Sequence, residues 1–136
     1  MSCAVRSTGA IACWGSNIDG LLGDGTSTRR TTPVAVTGIS DATQVSLGGY
    51  HGCARRRTGA VMCWGMNTVG ELGDGTTTAS LTPVTALGLT DATSVSVAGN
   101  PDIDHVCALQ ATGALSCWGV RGLGLPVLAP TRVWGP

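Results

Sequence analysis

The chain repeats itself at long range. Laid against itself at a shift of 50, residues 3–49 and 53–99 are identical at 27 of 47 positions without a gap. The first copy runs CAVRSTGAIACWGSNIDGLLGDGTSTRRTTPVAVTGISDATQVSLGG and the second CARRRTGAVMCWGMNTVGELGDGTTTASLTPVTALGLTDATSVSVAG. A third copy opens at Cys107 as CALQATGALSCWG after a shift of 54, loses the LGDGT element and continues as VRGLGLPVLAPTRVWGP. A period near 50 with this identity marks stacked supersecondary units, none of which buries its apolar faces alone.

Composition decides what each unit is made of. The 21 Gly and 6 Pro are spread so that few windows of ten residues lack one, which leaves little room for helices. Thr and Val are abundant, and both suit a pleated, half-buried strand. Turn chemistry then divides the unit. Gln44 to Gly48 reads as a first strand, repeated by Ser94 to Ala98, with Cys53 to Arg56 as a second, Ala60 to Trp64 as a third and Thr82 to Leu87 as a fourth. Between the second and third lies a Thr-Gly pair, at Thr8-Gly9, Thr58-Gly59 and Thr112-Gly113. A three-residue hairpin loop needs a left-handed third residue, the place glycine fills at least cost. Four short antiparallel strands per unit are the pattern of a propeller blade. The expected fold is all-β: a partial β-propeller of nearly three four-stranded antiparallel blades in a single repeat domain, 1–136. Its units run approximately 1–43, 44–93 and 94–136, and the first lacks the strand that would precede Cys3.

The six cysteines fall at 3, 13, 53, 63, 107 and 117, three pairs each ten apart. If Arg6 pairs with Ala10 to close the hairpin, counting outward sets Val5 against Ile11, Ala4 against Ala12 and Cys3 against Cys13. Alternation from a hydrogen-bonded closing pair makes the cysteines a non-hydrogen-bonded pair, with Cα atoms about 4.5 Å apart, within a disulfide's reach. The same geometry recurs for Cys53 with Cys63 and for Cys107 with Cys117. Each bridge closes a loop of about eleven residues and stabilises by roughly 2–3 kcal/mol in the chain-entropy model. Free buried thiols are the alternative. Two cysteines ten apart with one nearby histidine do not make the four convergent ligands of a zinc site. Bridges of this kind imply an oxidising compartment, so the expected location is secreted, periplasmic or cell-surface.

The run CWGxNxxGxLGDGT, followed by TPV and by a G-x-x-H-x-C-A segment, resembles the regulator of chromosome condensation repeat. Its residues here are Cys63, Trp64, Gly65, Asn67, Gly70, Leu72, Gly73, Asp74, Gly75, Thr76, Pro83 and Val84. The resemblance implies a β-propeller, usually of seven blades, whose members bind different proteins through different loops. The cysteine-bearing form is similar to repeats of bacterial, often exported, proteins. The third unit departs from the pattern after Gly119.

Several residues carry candidate roles. Trp14, Trp64 and Trp118 recur with the repeat and are expected to pack blade against blade, whereas Trp134 lies outside the pattern as a candidate exposed aromatic. His51 and His105 stand two before a cysteine and read as structural hydrogen bonders; Asp24 and Asp74 belong to Asp-Gly turns without the oxygen string of a calcium loop. Two places break the repeat. Asn100-Pro101-Asp102-Ile103-Asp104 replaces the single Tyr50, which is expected to lengthen a loop and bring Asp102 and Asp104 beside His105 as an acidic contact for a partner. Arg55 stands opposite Val61, where the other units pair Val5 with Ile11 and Leu109 with Leu115, so this hairpin face is expected to be partly exposed or to meet a partner.

Formal net charge is zero, the eight basic residues are all Arg, and the only run, Arg55–Arg57, alternates faces on a strand. Binding through phosphate neutralisation needs a larger cationic excess, so nucleic acid is not an expected partner. No stretch of 18 apolar residues is present to span a membrane. No G-x-S-x-G, P-loop or dinucleotide fingerprint occurs, and Glu71 is the only glutamate. No cofactor or metal is expected. The expected function is a non-catalytic protein-binding module acting through inter-strand loops. Its alternative is a structural protein in which copies, for example a homodimer, complete a ring, with an enzyme or enzyme inhibitor a distant third. A closed ring needs typically 4–8 blades, so nearly three are expected to be a fragment of a longer protein, to be completed by further copies, or to form an open stack with degenerate caps.

Overall fold

The structure, a computed structural model, describes residues 1–100, 103–119 and 127–135, with backbone only at Asn100 and Ile103. Eleven strands form three antiparallel sheets, each strand pairing with its neighbours in sequence. The first sheet holds β1 (Ser2–Val5), β2 (Ile11–Gly15) and β3 (Arg30–Ala35). The second holds β4 (Ala42–Leu47), β5 (His51–Arg56), β6 (Val61–Gly65) and β7 (Ser80–Thr85). The third holds β8 (Ala92–Asn100), β9 (Ile103–Gln110), β10 (Leu115–Trp118) and β11 (Thr131–Trp134). These are propeller blades, stacked in chain order.

The hairpin register is the one counted from sequence. Arg6 and Ala10 close the first turn through Arg6 N–H to Ala10 O at 2.8 Å, and Cys3 lies opposite Cys13. Cys53 faces Cys63 and Cys107 faces Cys117 in the same way. All three pairs are at bonding distance, with Cα atoms 4.1 Å apart. The turn glycines carry positive φ: 87° at Gly9, 87° at Gly59 and 86° at Gly113. Gly59 has a second reason to be glycine, because a Cβ there would stand 2.6 Å from the Thr90 carbonyl oxygen at the start of the next blade.

Side-chain alternation gives each blade two apolar faces, and the cores lie between blades. Ile11, Cys13, Leu22 and Val36 of the first blade pack on Ala54 and Trp64 of the second. Cys53, Val61, Cys63 and Leu72 of the second pack on Val95, Val106, Ala108 and Trp118 of the third. Each disulfide of the first two blades therefore lies in the joint with the next blade.

The third unit has the four strands expected of it, because β11 pairs with β10 across a bulge although the LGDGT element is gone. One expectation about this unit is corrected. The insertion at Asn100 extends paired structure rather than a loop: Gly99 opposes Asp104 and Asn100 opposes Ile103, prolonging the β8–β9 hairpin. Among the described residues no helix is long and apolar enough to cross a membrane.

Candidate interaction surfaces

The repeated loop motif builds the joint between blades. The side-chain amide of buried Asn67 donates to the carbonyls of Thr76 and Thr78, both at 3.1 Å, while its oxygen accepts from Leu72 N–H at 2.9 Å. Asn17 repeats these bonds to Thr26 and Thr28 at 2.9 and 3.0 Å, and to Leu22 N–H at 2.8 Å. One amide thus ties down both halves of a long loop. The carboxylate of Asp24 accepts from the backbone N–H and the hydroxyl of Thr26 at 3.0 and 2.8 Å and from Arg30 Nε at 2.9 Å. Burial pushes the Asp24 carboxyl up, but the bonds from Thr26, Arg30 and Asn17 outweigh it and hold the group below its ordinary value.

The loop so fixed receives the tryptophan of the following blade. Trp64 Nε1 donates to Leu21 O at 2.9 Å, and Trp118 Nε1 donates to Glu71 O at 2.9 Å. A Cβ at Gly23 would meet the Trp64 ring at 3.0 Å, and one at Gly73 the Trp118 ring at 2.7 Å. Gly25 N–H then bonds Leu81 O at 3.0 Å and Gly75 N–H bonds Leu128 O at 2.9 Å, latching loop to outer segment. The structural role of Asn17 and Asn67 was missed in sequence, although the repeated Asn-x6-Asp-Gly-Thr spacing carried the signal.

The residues singled out as partner contacts fare differently. Arg55 is half-buried, as a partly exposed hairpin face allows, and its guanidinium reaches across the joint, donating through Nε to Ala92 O and through Nη1 to Thr43 Oγ1 at 2.6 Å. Asp104 is not an exposed acidic contact. Strand alternation turns it away from His105, and its carboxylate lies 3.2 Å from His51 Nδ1, the two side chains 5% and 0% exposed. His105 is half-buried opposite Ala98 on β9, and Asp102 lies outside the described residues. Trp134 is 69% exposed, as a residue outside the repeat pattern allows.

Trp134 belongs to a row. It opposes Leu115, which opposes Leu109, so the three cross the sheet on the face that carries the Cys107–Cys117 bridge. The matching row in the second blade includes Val61 and Ala86, buried under the third blade. In the third blade nothing described covers the row, and Leu109 is 42% exposed. At the other end of the stack Trp14 lines a groove of about 390 Å³ with Arg6, Ala10, Ala12 and Pro33. Trp64 and Trp118 are fully buried by comparison.

Residues 8–55 and 42–71 each match a family model described as the regulator of chromosome condensation (RCC1) repeat. No curated protein matches the chain. Among solved structures, human WBSCR16 is similar with a TM-score of 0.81 at 17% identity, over 97% of this chain and 35% of that one. Yeast RCC1 (Prp20), in a complex with Kap60, gives 0.69 at 20% identity over 92% and 33%. Prp20p from Saccharomyces cerevisiae, described with its binding properties to Gsp1p and histones, gives 0.69 at 20% identity over 96% and 36%. The chain spans about a third of the length of these propellers.

Proposed function

As a chain that belongs to the regulator of chromosome condensation repeat family, this protein is, we propose, a non-catalytic protein-interaction module that works outside the reducing cytosol. The observation that carries the reading is the open row Leu109–Leu115–Trp134, an apolar strip ending in an exposed tryptophan on a rigid, disulfide-bridged sheet. Tryptophan on a preformed surface is the residue type most often found as an interface anchor. Polar residues of the middle blade serve the blade joints: Arg55 bonds Ala92, Asn67 holds its loop, and His51 lies buried 3.2 Å from Asp104. Similar propellers are recorded with protein partners, Kap60 in one case and Gsp1p and histones in another. The bridged hairpins suit a secreted, periplasmic or cell-surface setting.

The test compares the chain with its Trp134→Ala variant in parallel affinity captures quantified by mass spectrometry. A protein whose recovery falls in the variant, while both melt alike, supports the reading; recovery of every partner to equal extent from both overturns it.

A second reading has its own observation. Both ends of the stack present faces that are buried in the middle of it, the Trp14 groove at one end and the Trp134 row at the other. Uncovered repeat faces associate. In this reading copies of the chain cover one another, and the mass in solution distinguishes the two.

A further inference from the structure

A pair of ionisable groups is enclosed in the joint between the second and third blades. His51 opens β5 and is fully buried, and the Asp104 carboxylate of β9 lies 3.2 Å from its Nδ1. Asp104 stands where the preceding unit has Tyr50, each one residue before the repeated histidine, so the acid is particular to this joint. Apolar and backbone groups close around the pair. A Cβ at Gly48 would meet Val97 Cγ1 at 2.9 Å and the His51 ring at 3.1 Å, and Gly99 opposes Asp104. Among the described residues, neither ring nitrogen of His51 nor Asp104 Oδ1 makes a hydrogen bond.

The other charged groups nearby are engaged elsewhere. β4, β6 and β8 carry no ionisable side chain except Cys63, which is bridged. On β5, Arg55 bonds Ala92 and Thr43, and Arg56 pairs with Asp41. On β9, alternation turns His105 to the opposite face from Asp104. The carboxylate of Glu71, in the loop after β6, accepts from Thr68 Oγ1 at 3.2 Å and Val69 N–H at 2.7 Å. Tyr50 stands half-buried in the turn before β5, and Asp102 lies outside the described residues.

We propose that His51 and Asp104 are a proton-operated latch on this joint. With a neutral imidazole the joint encloses a carboxylate that no neighbouring cation balances. A proton on His51 makes the two groups an ion pair between β5 of one blade and β9 of the next. Burial opposes the charged ring, the facing carboxylate favours it, and at this separation in an apolar joint the carboxylate dominates. Imidazole is the side chain that ordinarily changes charge between about pH 5 and 8. Linkage then gives the sign: the proton's contribution to closure is present in mild acid and is lost as the ring becomes neutral at higher pH. Protonation of the carboxylate in stronger acid removes it again. The latch is independent of the Trp134 row, so either can fail without the other.

Each joint carries its own reporter. The Trp64 indole N–H bonds Leu21 O across the first joint, and the Trp118 indole N–H bonds Glu71 O across the second. Hydrogen exchange of the two indole protons is followed by NMR on the full oxidised chain at about pH 6 and about pH 8. The readout is the ratio of Trp118 to Trp64 protection, in which the shared chemistry of the exchanging group cancels. This ratio should be about tenfold higher at the lower pH. Asp104→Asn, which keeps the size of the side chain, and His51→Gln should each flatten the change, whereas His105→Gln should leave it as in the parent. A ratio that does not move with pH in the parent, one that rises toward the higher pH, or an equal rise in Asp104→Asn or His51→Gln overturns the latch.

Discussion

At the scale of single residues, the corrections and the predictions share a cause. Arg55 and Asp104 break the repeat, and broken repeats in sequence invite a functional reading. Their partners, Ala92 and His51, lie 37 and 53 positions away, in the adjoining blade, where no local pattern reaches. Asp104→Ala therefore destabilises the fold by about 1–3 kcal/mol, the cost of leaving His51 buried without its partner, where an exposed loop residue would be nearly neutral. Denaturant titration decides it. Gly59 and Gly113 make a paired control. Both have positive φ, so alanine strains each turn by about 1–2 kcal/mol, but a Cβ at Gly59 would also stand 2.6 Å from a carbonyl oxygen, whereas one at Gly113 would meet nothing within 4 Å. Thermal melts should rank Gly59→Ala well below Gly113→Ala, and equal losses would contradict the close approach. Asp24 predicts the acid limb. Its folded value is depressed, so the stability it contributes is fully present above the unfolded value near 3.8 and is lost as pH falls through the folded value. Asp24→Asn should flatten the fall in melting temperature below pH 3.8 relative to the parent chain.

At the scale of elements, the hairpin was legible because its rules are local. Thr-Gly sets the turn, the turn sets the register, and the register puts Cys3 against Cys13. The oxidised chain should therefore take up no alkylating reagent, and the reduced chain six equivalents, by intact mass. Uptake without reductant would contradict the pairing. The outer strand of the third blade was expected from the repeat alone, since the motif that announces it in the other units is missing. β10 still offers an edge of backbone donors and acceptors, and β11 satisfies it without that motif. The loop element is the converse case. Its sequence was conspicuous, but its purpose, to hold the next tryptophan, appears only when two blades stand together. Asn67→Ala removes the amide that bonds Thr76, Thr78 and Leu72, and should cost about 2–4 kcal/mol with loss of cooperativity at the joint. Near-UV circular dichroism of Trp118 provides the local readout.

At the scale of the whole molecule, stability and adhesion come from the same construction. Each joint is an apolar core between sheets, reinforced by a bridge, an indole hydrogen bond and a backbone latch. A stack built this way ends in two faces of the kind it buries elsewhere. The solved propellers it resembles are about three times its length, and among the described residues the outer faces of the first and third sheets are uncovered. That the faces would be apolar was foreseeable from alternation; that Trp134 would extend one of them required seeing β11 placed beside Leu115. The most direct test of the claim that the Leu109–Leu115–Trp134 face is an interaction surface is parallel affinity capture by the purified, oxidised chain and its Trp134→Ser variant. At least one protein, or further copies of the chain itself, should be recovered by the parent and lost by a variant that melts alike. Equal recovery of every protein by both would contradict the claim.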